Sequence, residues 1–105
     1  MNPKILHVHV KYVYFNQVKN KEKDEEYREI KPYWNEKLNK DYDEIHYHAG
    51  YNHDKDSTLI FRWNGYKKKR ITHELFGKNK LVYAIPLKED SDILPALKYG
   101  ASNGL

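Results

Sequence analysis

The sequence predicts a small α+β domain, a mixed β-barrel of about five or six strands with two short helices. Three observations support this fold class. The chain has 105 residues, the length of one domain. Most of its apolar residues alternate with polar ones, which is the period of a half-buried strand. Two short segments in the first half of the chain change to helical spacing.

The first half of the chain alternates between strand and helix. Residues 5–10 have strand alternation, and residues 12–19 place apolar side chains at helical spacing. Strand alternation returns over residues 25–30. The proline that opens residues 32–39 suits the first turn of a helix, and an aromatic and apolar stripe continues that helix. Residues 43–49 alternate again and predict a third strand.

The second half of the chain is dominated by strands. Residues 58–63 alternate with apolar side chains on one face, and Asn64-Gly65 is a hairpin signal. A short strand is predicted over residues 71–74. Residues 81–87 are apolar on both faces, which predicts the most buried strand. We therefore assign residues 1–88 to one domain and residues 89–105 to a C-terminal tail or short helix.

Composition excludes several classes of protein. Lys and Arg total 19 against 15 Asp and Glu, which gives a net charge of +4. The absence of cysteine excludes disulfides, thiolate metal sites and thiol nucleophiles. The apolar runs are far shorter than the ~20 residues of a membrane span. The N-terminal residues do not have the pattern of a secretory signal, so we expect a cytoplasmic protein without membrane contact.

The most informative run is FNQVKNKEKDEEYREIKPYW, residues 15–34. Glu26 and Arg28 lie two apart on a predicted strand, so both face one side, and Lys23 arrives from the preceding turn. Arginine binds phosphate or carbonyl oxygens in a fork, and lysine supplies a mobile charge. Glu26 would orient Arg28 or accept from the amine of a base. Aromatic side chains that would stack on a base are Tyr33, Trp34 and Tyr51.

Each of these residues also has a purely structural interpretation. A Glu-Arg pair on a strand surface needs no ligand and contributes only about 0–1 kcal/mol. Trp34 lies at helical spacing, where an aromatic side chain commonly belongs to the core.

The run resembles the ASCH family of PUA-like barrels. That family's segment is a helix, a turn Gly-x-Lys-(Thr/Ser) and a strand with Glu-x-Arg, which Lys23, Glu26 and Arg28 match in order and spacing. The later segments PYW and YDEIHYHAGY resemble a phage- and bacterium-associated subset, and the resemblance covers about residues 4–88. It implies a PUA-like barrel whose cleft binds RNA, a nucleotide or a modified nucleoside.

The sequence departs from the family pattern at two positions. Lys21 stands at the glycine, so a left-handed turn there would carry a small strain cost. Asp24 stands at the Thr or Ser. Family members that are enzymes are N-acetylcytidine amidohydrolases, which use the lysine, that threonine and a distant glutamate. For such an enzyme the resemblance implies Lys23, Asp24 at the hydroxyl position, and Glu74 as a candidate for the distant carboxylate.

Two further patterns have alternative interpretations. The run Lys67, Lys68, Lys69 and Arg70 is either a set of phosphate contacts or a solvated hairpin tip. The pairs His7-x-His9 and His46-x-His48 each share a strand face, and on neighbouring strands they would form a cluster of the zinc or nickel type. A polar strand face is the simpler interpretation, so we predict no metal and no cofactor.

The sequence thus supports three functional hypotheses. The leading one is a small RNA- or nucleotide-binding domain that uses the Lys23, Glu26 and Arg28 cleft. The alternatives are an amidohydrolase acting on an acylated nucleoside, and a phage-type inhibitory module with a protein partner. The oligomeric state is not predicted.

Overall fold

Strands and helices alternate along the chain in the computed structural model, which describes residues 2–51 and 55–87. In chain order the elements are β1 (Ile5–Val10), α1 (Tyr12–Lys19), β2 (Glu25–Glu29), α2 (Pro32–Leu38), β3 (Glu44–Ala49), β4 (Thr58–Arg62), β5 (Lys67–His73) and β6 (Gly77–Pro86). A single 3-10 turn, Lys55–Ser57, precedes β4. The predicted tail or helix over residues 89–105 lies outside the described residues.

The strands of the described residues form two three-stranded sheets. The first has the order β1-β3-β4 and the second β2-β6-β5. Strands β1 and β3 run parallel, and the other pairs are antiparallel. These findings confirm a small α+β fold with six strands and two helices among the described residues. Closure of the two sheets into one barrel stays a prediction.

The prediction of a β-hairpin at Asn64-Gly65 is wrong. The strand before this dipeptide, β4, pairs with β3, whereas β5 after it pairs with β6 in the other sheet. Gly65 has a φ of 76°, so the glycine serves a left-handed turn in a segment that crosses between sheets. The hairpin is instead formed by β5 and β6. The sequence predicted that these two strands begin at residues 71 and 81, and each begins four residues earlier in the structure.

The core lies where both helices pack against the inward faces of the sheets. Helix α1 contributes Phe15, whose ring stacks on Tyr47 of β3 at 6.2 Å. Tyr47 is fully buried. The other buried apolar side chains of the cluster are Leu6, Val8, Val18, Trp34, Leu38, Ile45, Ala49, Phe61, Tyr83, Ile85 and Leu87. Strand alternation therefore identified the core faces of β1 and β3 correctly.

Among the described residues, neither helix is both long enough and apolar enough to cross a membrane.

A first prediction concerns the buried side of the parallel strands β1 and β3. Ile45 is fully buried on β3, so Ile45→Ala should lower the free energy of unfolding by about 2–5 kcal/mol, because it removes buried methylenes and leaves a cavity. Val13 on α1 is 55% exposed, so Val13→Ala should change it by less than about 0.5 kcal/mol. Urea unfolding followed by circular dichroism measures both. Equal losses in the two variants would contradict the packing described here.

Candidate functional site

A cavity of about 250 Å³ opens where the end of β1, the two helices, β2 and the β5-β6 turn meet. All three residues of the Lys-x-x-Glu-x-Arg run line it. The lining side chains that bear on its chemistry are Tyr14, Lys23, Glu26, Arg28, Trp34 and Phe76. The structure therefore brings Lys23, Glu26 and Arg28 together in one concave site, with aromatic side chains around them.

A left-handed turn places Lys23 over this cavity. Lys21, which stands at the glycine position of the ASCH pattern, has a φ of 63°, in the left-handed region. The turn lets the backbone N–H groups of Glu22 and Lys23 both donate to the carbonyl oxygen of Gln17, at 2.8 and 3.2 Å. The chain leaving α1 is thereby reversed within a few residues and enters β2 with the Lys23 side chain above that strand.

Lys23 is held between aromatic rings and a carboxylate. Its ammonium nitrogen lies 5.0 Å from the ring centre of Tyr14 and 5.2 Å from that of Tyr27, distances at which the ring faces attract a cation. It lies 3.9 Å from Oε1 of Glu26. Burial lowers the pKa of Lys23; the Glu26 carboxylate opposes this effect, and the Arg28 guanidinium adds to it.

Glu26 is a buried carboxylate with both oxygens engaged. Its side chain is about 6% exposed. Oε2 pairs with Nη2 of Arg28 at 2.5 Å, and Oε1 accepts a hydrogen bond from the Tyr47 hydroxyl at 3.1 Å. Burial, followed by the Glu26 charge, raises the pKa of Tyr47 far above its ordinary value, so the phenol stays protonated and keeps donating. Of the two roles the sequence allowed for Glu26, orienting Arg28 is the one seen here.

Arg28 is fixed on three sides. Its guanidinium carbon lies 4.9 Å from the centre of the Trp34 ring, and Nη2 also donates to the carbonyl oxygen of His9 at 3.1 Å. In the described part of the chain, its hydrogen bond and its ion pair both use Nη2, and its buried Nε has no hydrogen-bond partner. Arginine has five N–H donors, so donors other than Nη2 remain for an acceptor entering the cavity.

The three predicted stacking residues differ in position. Trp34 lines the cavity and also belongs to the core cluster. It is therefore both a wall of the site and a core residue, the two alternatives that the sequence left open. Tyr33 is 59% exposed and meets Trp34 edge to face at 5.2 Å. Tyr51 is 89% exposed and stacks on His9 at 5.2 Å. Tyr33 and Tyr51 are not among the residues that line the cavity.

The residues proposed for the enzymatic alternative are not gathered in the cavity. Asp24 and Glu74 are both exposed, and neither lines it, although their neighbours Lys23 and His73 do. A carboxylate acts on a proton only within about 3 Å. In this arrangement Glu26 is the carboxylate near Lys23.

The basic run lies along strand β5 rather than at the cavity or at a hairpin tip. Its backbone pairs with β6, from Lys67 opposite Ala84 to Arg70 opposite Leu81. The ammonium groups of Lys67 and Lys69 lie 3.8 and 2.7 Å from the Glu25 carboxylate. The carboxylate hydrogen bond raises the pKa of Lys69. Part of this positive charge is therefore already paired within the domain.

Sequence reasoning missed several members of the site: Tyr14, Tyr27, Tyr47 and Phe76. The sequence placed Tyr14 within the helical spacing of residues 12–19 and Tyr47 within the strand of residues 43–49, and gave neither of them a role in the site. The partner of a tyrosine hydroxyl depends on which strands are brought together, and no short-range pattern encodes it.

Comparison of this chain with protein-family models, with curated proteins and with solved structures finds no match. The resemblance to the ASCH family therefore stays a prediction, and function has to be argued from the cavity.

The turn at Lys21 makes a second prediction. Lys21→Gly should raise the free energy of unfolding by about 0.5–1 kcal/mol, because relief of the left-handed backbone, about 1–2 kcal/mol, outweighs the added entropy of the unfolded chain. Lys19→Gly makes the same chemical change in the last turn of α1 and should lower it by about 0.5–1 kcal/mol. Thermal or urea unfolding compares the two variants, and a loss of stability in both would contradict the turn.

The charges around Lys23 make a third prediction. Glu26→Gln should lower the pKa of Lys23 further, because the carboxylate that favours its charged form is removed; Arg28→Met should raise it, because a neighbouring like charge is removed. NMR titration of ¹³Cε-labelled lysine measures both shifts. In the same spectra, Lys69 serves as an internal reference whose pKa should stay raised in both variants. Shifts of the same sign in the two variants would contradict this electrostatic arrangement.

Proposed function

We propose that this chain is a small cytoplasmic, PUA-like domain of ASCH type that binds a nucleotide or modified nucleoside, free or within RNA. The observation that supports this proposal is the convergence of Lys23 and Arg28 on one aromatic-walled cavity. The ASCH assignment and the closed barrel rest on the Lys23, Glu26 and Arg28 pattern of the sequence. The cavity chemistry supports nucleotide binding independently of them.

The two cations suit an anionic or carbonyl-rich ligand. Arg28 is held at a fixed orientation by Glu26 and Trp34, so it offers its remaining donors without losing much side-chain entropy on binding. Lys23 is held by the Tyr14 and Tyr27 rings and by Glu26 and supplies a compact point charge. Together they can bind a phosphate oxygen and a base carbonyl at once, which is a combination that nucleotides present.

The aromatic wall and the size of the cavity favour a single nucleotide unit. Bases stack on tryptophan rings and on guanidinium planes, and Trp34 and Arg28 already form such a pair. The volume of about 250 Å³ lies just below the usual range for drug-sized ligands, about 300–1,000 Å³. One base or nucleoside therefore fits this cavity better than a longer strand. Because Glu25 already pairs with Lys67 and Lys69, we assign the main phosphate contacts to the cavity rather than to β5.

One observation favours the enzymatic alternative. Burial lowers the pKa of Lys23, and a lysine with a lowered pKa is a better general base or nucleophile. An amidohydrolase acting on an acylated nucleoside would use this amine beside Glu26. The exposed positions of Asp24 and Glu74 give them no contact with a substrate in the cavity.

The binding proposal predicts a specific pattern of affinities. Isothermal titration with nucleoside monophosphates and with short single-stranded RNA, at one fixed salt concentration, should show saturable binding. Arg28→Gln and Lys23→Gln should each weaken it at least about tenfold, because each removes a charged contact of about 1.5–3 kcal/mol. Lys23→Gln should keep the wild-type circular dichroism spectrum, since it removes no apolar core side chain. Arg28→Gln leaves the buried Glu26 carboxylate without its cation and should lower the free energy of unfolding. The double variant Glu26→Gln/Arg28→Gln removes both charges of this pair, so it is measured beside Arg28→Gln and should show the same loss of affinity.

A matched variant separates this site from diffuse attraction to a basic surface. Lys68→Gln also removes one positive charge, but from exposed β5, and should change the affinity by less than about twofold. If Lys68→Gln weakens binding as much as Arg28→Gln does, or if no variant changes it, the cavity is not the binding site.

Incubation with N-acetylcytidine tests the enzymatic alternative. Chromatography should detect cytidine above background with the wild-type chain, and Lys23→Met should abolish its release because the amine is lost. Absence of cytidine with the wild-type chain removes this alternative for that substrate.

A further inference from the structure

A row of histidines occupies the face of the β1-β3-β4 sheet that points away from the core. His7 and His9 alternate along β1 with buried Leu6 and Val8, and two histidines of β3 alternate in the same way with Ile45 and Tyr47. The parallel register aligns His7 with His46 and His9 with His48. The two histidine pairs identified in the sequence therefore do lie on neighbouring strands, on a face other than the nucleotide cavity.

Three of these rings converge on one point. His7, His46 and His48 each place a ring nitrogen so that all three atoms lie within 4.8 Å of one another. Two of the nitrogens, Nδ1 of His7 and Nε2 of His48, are 2.9 Å apart. Tetrahedral zinc with Zn–N bonds of about 2.0–2.1 Å spaces its nitrogen ligands about 3.4 Å apart. The observed separations bracket this value, so small side-chain rotations are enough to close a three-nitrogen site.

Neighbouring oxygen atoms hold two of the three rings. Nδ1 of His48 lies 2.9 Å from the Thr58 hydroxyl, and Nε2 of His46 lies 3.0 Å from a carboxylate oxygen of Glu44. Metal-bound histidines almost always bond through the second ring nitrogen to such a group, which fixes the tautomer and the ring orientation. His48 is also only 1% exposed and lies between the rings of His7 and His9, at centroid distances of 5.1 and 4.8 Å.

His9 does not belong to the converging set. Its Nδ1 lies 2.8 Å from the carbonyl oxygen of Gly50, and its ring is stacked between His48 and Tyr51. It therefore serves as a wall beside the three rings. His53, which is close in sequence to His46-x-His48, lies outside the described residues.

We propose that His7, His46 and His48 form a binding site for a borderline divalent transition-metal ion of the Zn²⁺ class, with a fourth coordination position open to water or another ligand. Imidazole is the protein ligand that suits Zn²⁺, Ni²⁺ and Cu²⁺, whereas Mg²⁺ and Ca²⁺ need oxygen ligands. The metal replaces the hydrogen bond between His7 and His48. Each neutral ring keeps one proton on its other nitrogen, and in His48 this is the nitrogen that faces Thr58.

The site is tested with the untagged full chain and ZnCl₂ alone. Competition with a chromogenic zinc indicator should give one equivalent of bound Zn²⁺, and Co²⁺ in its place should give the intense visible absorption of a four-coordinate complex. His7→Ala and His46→Ala should each weaken Zn²⁺ binding at least about tenfold, because each removes a direct ligand. We choose these two because His48 is the most buried of the three rings.

A histidine outside the cluster provides the matched control. His73 lies on β5, and His73→Ala should leave zinc affinity within about twofold of wild type. A second pair tests the support of the rings: Glu44→Gln and Thr58→Val leave all three ligands in place and should weaken binding by about 10-fold or more. Absence of saturable binding to the wild-type chain overturns the proposal. So does equal affinity in wild type, His7→Ala and His46→Ala, or an equal loss in His73→Ala. Failure of nucleotide binding would leave this result unaffected, since it concerns other residues.

Discussion

The buried carboxylate of Glu26 is the interaction on which the arrangement of this domain depends. It lies on β2, in one sheet, and accepts a hydrogen bond from Tyr47 on β3, in the other sheet. A buried charge without partners is very unfavourable, so its partners must be present for the fold to form. Arg28 and Tyr47 satisfy its two oxygens. This polar link therefore specifies how the two sheets face each other, while the surrounding apolar contacts supply most of the stabilisation.

The same link orients the cavity. Because Glu26 holds Nη2 of Arg28, the guanidinium lies over Trp34 instead of extending into solvent. The turn at Lys21 then brings a second cation above the same carboxylate. Glu26 is thus the counter-ion that allows two positive groups to lie close together in a partly buried site. A ligand with negative or carbonyl oxygens would meet charges that are already positioned, which lowers the entropic cost of binding.

His9 connects the cavity with the histidine row. Its backbone carbonyl accepts a hydrogen bond from Arg28, and its ring stacks on His48. The two sites therefore share one residue of β1 but use different atoms of it. The geometry of a strand explains this arrangement. Strand β1 lies at the edge of its sheet, so the His9 carbonyl can accept a hydrogen bond from Arg28 of the other sheet, while the His9 side chain points to a face of its own sheet.

Local patterns in the sequence determined the elements of the first half of this protein. Strands β1, β2 and β3 and helices α1 and α2 lie where periodicity and the proline signal placed them, with at most a residue of difference at either end. The same patterns also determined that Glu26 and Arg28 share a face of β2. Only the tertiary structure decided that β4 and β5 belong to different sheets, despite the Asn64-Gly65 signal. It also decided that the lysine-rich start of β5 is strand, because pairing with β6 supplies its backbone hydrogen bonds. The hydrogen bond from Tyr47 to Glu26 and the convergence of His7 with His46 and His48 also depend on which strands the tertiary structure brings together. Period and turn chemistry act over a few residues, whereas these contacts join segments that only the packing of sheets and helices brings together.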